Sequence, residues 1–228
     1  MGQKANPIGL RTIINKKLFQ SNWFASKKQF SKYLFEDFKV REFIQENNAN
    51  AGIGRIDIAR APGEIRIAIS CSRPGILIGK KGENMEKMKV QVAQHINRLS
   101  KRTKGEDRHM QVFLEVVEIK KPEANAKVIA ESIAQQLKGR VSYRRAVKKA
   151  SELAMGTGHV KGIQVKVSGR LGGAEIARSE ASSMGSVGRH TLKTDIDFAQ
   201  ARARTTYGII GIAVTVSKHK KEVKEGGR

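Results

Sequence analysis

The spacing of apolar side chains changes period several times along the first half of the chain. From Lys27 to Gln45, Phe30, Leu34, Phe35, Phe38, Val40, Phe43 and Ile44 recur at mostly three- and four-residue steps, the signature of an amphipathic helix. Asn47 to Gly54 is rich in Asn and Gly and punctuates. The period then drops to two, with Ile56 and Ile58 in one run, Ile65, Ile67 and Ile69 in the next, and Pro62-Gly63 between them. This predicts a hairpin. A glycine-bracketed stretch, Arg73 to Gly82, leads into Glu83 to Leu99, where Met85, Met88, Val92, His95 and Ile96 fall at helical spacing. A polar basic stretch, Ser100 to His109, precedes the β-branched run Val112 to Ile119, which Lys120-Lys121-Pro122 ends.

In the second half, Val128 to Leu137 and Val141 to Met155 predict two helices parted near Gly139. Ile163, Val165 and Val167 alternate as a strand, Gly169 to Gly173 reads as a turn, and Met184 to Arg189 as a glycine-bearing loop. The last strand has Ile210, Ile212, Val214 and Val216 on one side and Gly211, Ala213, Thr215 and Ser217 on the other. Before all this, Met1 to Ser21 carries Lys4, Arg11, Lys16 and Lys17 with no acidic residue. Pro7 and Gly9 are expected to interrupt any helix there. The expected segments are a basic arm (1–21), a first domain (22–120), a second (121–217) and a basic, disordered tail (218–228).

Charge changes the picture most. With 44 Lys and Arg against 21 Asp and Glu the chain carries +23, while 39% hydrophobic content leaves enough apolar residues for a core. So large a charge strains a compact fold, and a polyanion that neutralises it, nucleic acid first, is the economical explanation. An anionic membrane fits less well, because the basic residues are spread over the whole chain. Tyr207 to Val216, the longest nearly apolar stretch, is about half of a membrane span. The start of the chain has neither a signal-peptide core nor a myristoylation pattern, so the expected address is the cytoplasm. One cysteine, Cys71, excludes an internal disulfide and a cysteine-rich zinc site.

Two constellations could carry chemistry. Gly79-Lys80-Lys81-Gly82 is a G-x-x-G loop, in which two glycines admit a sugar-phosphate backbone and the residues between supply charge. By itself such a tetrapeptide is a common helix-start turn. Its setting of helix, two strands, short apolar turn, loop, helix and strand resembles a type II K-homology domain. Phosphate-loop and dinucleotide readings fail on spacing: only three residues part Gly75 from Gly79, and Gly156-Thr157-Gly158 leads into a strand. Arg144, Arg145, Lys148 and Lys149 share an arc of roughly 140° on one helix, apart from an apolar arc of roughly 120°. No acidic residue interrupts that arc before Glu152. The five histidines include no pair at metal-ligand spacing, and no nucleophile motif frames any serine, so no metal site, cofactor or catalytic residue is expected. Few aromatics argue for phosphate and shape contacts over base stacking.

Longer blocks narrow the choice. Asn6-Pro7-Ile8-Gly9, Asp37 to Arg41, Ala61-Pro62-Gly63, Tyr143-Arg144-Arg145-Ala146, the thirteen residues Ser168 to Glu180, His190-Thr191-Leu192 and Thr205 to Gly211 resemble the bacterial-type S-three family of the small ribosomal subunit. The resemblance covers residues 1 to 217. It implies an α+β chain, a type II K-homology domain followed by a C-terminal α+β domain, that is not an enzyme and takes no small-molecule substrate. It further implies contacts with small-subunit ribosomal RNA, in which Arg170 and Arg178 take part, and with neighbouring S-ten and S-fourteen proteins. The helix bearing Arg144, Arg145 and Lys148 would face the channel through which messenger RNA enters. The chain departs from the family at Ala181-Ser182-Ser183 and Val187-Gly188-Arg189, lacks a tryptophan in its last strand, and carries Ser100 to His109 as a short basic insertion. A free RNA-binding regulator is the rival from another class, and a nucleic-acid-processing enzyme finds no catalytic constellation.

Overall fold

The computed structural model of the protein describes residues 5–102 and 111–219. Its elements are α1 (Pro7–Arg11), β1 (Ser21–Asn22), α2 (Lys27–Asn47), β2 (Ile53–Ala61), β3 (Glu64–Cys71), α3 (Pro74–Ile78), α4 (Glu83–Arg102) and β4 (Gln111–Glu118), followed by α5 (Ala126–Lys138), α6 (Tyr143–Gly156), β5 (Val160–Gly169), β6 (Arg178–Gly185), β7 (Ile196–Thr205) and β8 (Gly208–Lys218). They fall into two compact units, Phe19–Lys120 and the described parts of Met1–Leu18 with Lys121–Arg228.

In the first unit the sheet runs β1-β2-β3-β4. β2 and β3 form the expected hairpin, closed by Pro62-Gly63 between paired Ala61 and Glu64, and β4 runs parallel to β3. A parallel neighbour needs a crossover, which α3 and α4 supply. Ile56, Ile58, Ile65, Ile67 and Ile69 bury against Leu77, Met88, Val92 and Ile96, so strand alternation and helical period meet in one core.

The α2 helix forms as its spacing predicts, but its aromatic stripe is not its core face. Phe30, Leu34, Phe35 and Phe38 are exposed, while Glu36, Asp37, Val40 and Ile44 are buried. Carboxylates can go inside because Arg60 meets them there, its Nη1 2.7 Å from Glu36 and its Nη2 2.6 Å from Asp37. Trp23 Nε1 donates to Asp37 at 2.7 Å, and the Tyr33 ring lies 4.7 Å from the guanidinium. A buried ion pair holds only when its remaining lone pairs are satisfied, and here they are.

In the second unit α5 and α6 pack on an antiparallel sheet ordered β6-β5-β8-β7. Two of its strands escape the hydrophobic pattern. β6 is an exposed edge strand of mostly polar residues, and Met184, expected in a loop, is part of it. β7 buries only Ile196, Ala199 and Ala203, and the small Ala199 and Ala203 let α5 approach. The first helix is a further correction: Pro7 does not interrupt it but starts it. Proline lacks an N–H that the first turn would leave unbonded anyway, and the Asn6 side chain caps the turn by accepting from Ile8 N at 2.9 Å. Lys218 completes β8 and His219 N donates to His159 O, whereas 103–109 of the basic insertion and 220–228 of the tail lie outside the described residues.

Candidate nucleic-acid interface

The G-x-x-G loop sits between α3 and α4 as a short 3-10 turn, Lys80–Gly82. Both glycines have positive φ, 70° at Gly79 and 83° at Gly82. A Cβ on Gly79 would stand 2.6 Å from the Asn84 side chain, whereas one on Gly82 meets nothing within 4 Å. Gly79 is therefore required by the fold as well as by conformation, and Gly82 by conformation alone. Lys80 is exposed, and the Lys81 backbone continues the turn into α4.

On α6 the predicted separation of faces holds. Ala146, Val147 and Ala154 are buried, while Arg144, Arg145, Lys148 and Lys149 are exposed. The basic arc is less free of acid than the sequence suggests, because β6 brings Glu180 beside it. Tyr143 Oη donates to Glu180 Oε1 at 2.9 Å and accepts from Arg144 Nε at 3.0 Å. This relay orients Arg144, and the hydrogen bond to Tyr143 followed by the nearby carboxylate raises its pKa further. Glu180 also lies 3.8 Å from Arg178 Nε, so Arg144 and Arg178, 34 positions apart by number, share one carboxylate. Lys148 stands 3.9 Å from Glu152, whereas Arg145 and Lys149 have no ion pair among the described residues. Arg170 is placed otherwise: its Nε donates to Ala174 O at 2.9 Å and its guanidinium lies 6.0 Å from the Tyr207 ring, which pins the turn Leu171–Gly173.

A further basic surface lies on β7, a strand that the apolar pattern of the sequence does not reveal. Gln200, Arg202 and Arg204 alternate along β7 with Ala199, Ala201 and Ala203, a period-two signal present in the sequence but weak in apolar mass. Register carries Arg202 through Gly211 to Ser168, and Gln200 through Ala213 to Lys166, on the sheet face away from α5 and α6. Lys166, Arg202 and Arg204 are exposed there without an ion pair among the described residues. Ala213 and Gly211 of β8 lie in the rows of Gln200 and Arg202, and no carboxylate shares these rows.

Among the described residues no three His, Cys, Asp or Glu side chains gather where a metal could sit, and no helix is long and apolar enough to cross a membrane. The free Cys71 is buried in the first core, and burial pushes its thiol pKa up, away from reactivity.

A helix–glycine-loop–helix on a mixed sheet, followed by a basic helix on an antiparallel sheet, is the architecture of a two-unit protein of the nucleic-acid-binding class. Comparison with known proteins agrees. Residues 39–124 match the family described as "KH domain", and residues 133–216 that described as "Ribosomal protein S3, C-terminal domain". The chain is 48% identical over 225 residues to the small ribosomal subunit protein uS3 of Pelagibacter ubique, covering 99% of this chain and 93% of that one. It is 45% identical over 222 residues to uS3 of Chlamydia trachomatis serovar A (97% and 93%), and 46% over 218 residues to uS3 of Pseudomonas paraeruginosa (96% and 90%). The chain belongs to the uS3 family of small ribosomal subunit proteins. Its members are ribosomal constituents, cytoplasmic in bacteria, and not enzymes.

Proposed function

We propose that this chain, as a constituent of the small ribosomal subunit, binds ribosomal RNA of the head and helps position and open messenger RNA where it enters. The observation that carries the messenger role is the face of α6. Arg144, Arg145, Lys148 and Lys149 stand exposed on one side of a helix whose other side is fixed in the core, so their charges are presented on a rigid support. Four cations on about one and a half turns of helix suit successive phosphates of one strand. Ribosomal RNA is assigned to the glycine loop with Lys80 and Lys81, to Arg170 and Arg178, and to the outer face of the second sheet. The neighbouring S-ten and S-fourteen proteins remain the proposed protein partners, and the functional division is kept at 22–120 and 121–217.

The test is translation by ribosomes carrying Arg144→Ala, Arg145→Ala and Lys148→Ala together. A passive basic clamp acts by holding strands once they have opened, so passage through structured messenger should slow while unstructured messenger is read at the normal rate. Equal slowing on both templates, or none on either, removes α6 from the messenger path and leaves the family assignment untouched.

A further inference from the structure

The basic face of α6 is two stripes with different surroundings. Arg144 and Lys148, four positions apart, form one, and Arg145 and Lys149 the other. The second stripe has no ion pair among the described residues. The first borders a cleft of about 140 Å³ between α6 and β6, floored by Val147, Val165 and Val167. Each of its cations has a carboxylate at the outer limit of ion-pair distance: Glu180 lies 3.8 Å from Arg144 Nη2, and Glu152 3.9 Å from Lys148 Nζ. Glu152 belongs to α6 itself and makes an ordinary i,i+4 pair. Glu180 comes from another element.

Register delivers it there. Glu180 on β6 pairs with Val167 on β5, and residues directly opposite on neighbouring strands share a face, so the carboxylate emerges on the side where Val167 is buried against the helices. The Tyr143 hydroxyl donates to it at 2.9 Å. Arg144 and Arg178 both stand 3.8 Å away, beyond hydrogen-bond distance. Arg144 is itself tethered through Nε to Tyr143 Oη at 3.0 Å, and its side chain is 74% exposed. The carboxylate is thus tied closely to the phenol and loosely to the guanidinium. It attracts Arg144 without occupying the donors that a phosphate would use.

An RNA phosphate that reaches Arg144 brings the same kind of anionic oxygen acceptor as Glu180, and a charge that repels the carboxylate. We propose that Glu180 is a positioning residue that sets the strength of the α6 face: without RNA it holds Arg144 at the cleft, and with a strand bound it competes with phosphate for the same guanidinium. The countered stripe then grips and releases while Arg145 and Lys149 stay engaged, which shortens the life of each contact with a strand that has to advance. The proposal rests on the RNA contact assigned above to α6.

The experiment is binding of oligouridylate to the full chain over a series of salt concentrations, with dissociation rates, for the unaltered chain, Glu180→Gln, Arg144→Ala and the two together. Gln removes the charge but keeps an oxygen that accepts from Tyr143, so the melting temperature should hold. Glu180→Gln should tighten binding by about two- to fivefold, the range of an exposed ion pair, chiefly through slower dissociation. It should also steepen the slope of log affinity against log salt by up to about 0.7, one further phosphate fully neutralised. Added to Arg144→Ala, the same substitution should produce less than half of that change in log affinity. Glu180→Ala, which removes the charge without supplying an amide, should move affinity in the same direction. Binding that is unchanged or weaker in both Glu180 variants, while Arg144→Ala lowers affinity, overturns the competitor and keeps the face. Equal tightening with and without Arg144 also overturns it, since the charge would then act on the surface as a whole. If Arg144→Ala alone changes neither affinity nor slope, Arg144 makes no RNA contact and both readings of it fall.

Discussion

Arg11 shows how little residue type alone decides whether a cation meets RNA. By position it belongs to the run of basic residues at the start of the chain, yet its guanidinium is 3% exposed. It donates to four carbonyls, Thr194 O at 2.8 Å and Pro7 O, Arg189 O and Thr191 O at 3.0 Å each, and so ties α1 to the segment before β7. Arg189 in turn reaches Thr215 Oγ1 at 3.0 Å on β8. Replacing Arg11 with Ala removes a charged donor from four acceptors and should cost about 3 kcal/mol of unfolding free energy, read by denaturant titration. Arg11→Lys should recover only part, since an ammonium cannot span the same fork. A variant with unchanged stability would return Arg11 to the RNA-contacting arm. The sequence offers no sign of this role, because three of the four carbonyls are supplied some 180 positions away. Lys80, Arg145 and Lys149, by contrast, stand in solvent as their local pattern says, being fixed by the helix or turn that carries them.

At the scale of elements, legibility follows the strength of the local signal. β2, β3, β5 and β8 are rich in buried Ile and Val, and α4, α5 and α6 bury one periodic face, so each could be read directly. α2 was legible as a helix but not in its orientation, because the choice between its aromatic and acidic faces is made by Arg60 on another element. β6 and β7 bury too little apolar mass to announce themselves, and with β7 went Arg202 and Arg204. These two and Lys166 form a test of the sheet face. If each neutralises a phosphate of single-stranded RNA, changing all three to Ala should reduce the log-affinity versus log-salt slope of the full chain by about 2. Base preference should stay constant, since phosphate contacts carry no sequence information. Melting temperature should hold, because the three side chains are exposed and bond to nothing in the described structure. An unchanged slope with unchanged stability would exclude this face from the interface.

For the whole molecule the controlling quantity is a net charge of +23 on 228 residues. Among the described residues the attractive pairs that could offset it are mostly exposed: Arg66–Glu64, Lys87–Glu83 and Lys148–Glu152 join solvent-facing groups, and such pairs contribute little. The Arg60 cluster is buried and so is screened weakly by salt. Added salt therefore removes more repulsion than attraction. The melting temperature of the free chain should rise between about 0.01 and 0.15 M salt, over which the screening length falls from roughly 30 to 8 Å. At fixed ionic strength an oligoribonucleotide should raise it further, because it binds the folded cationic surfaces and shifts the equilibrium by mass action. An uncharged polymer of similar size should not reproduce that second rise. A melting temperature that falls with salt would mean that attractive ion pairs outweigh the repulsion. The excess charge would then be no strain on the free fold, and neutralisation by RNA would contribute binding free energy without stabilising the protein it binds.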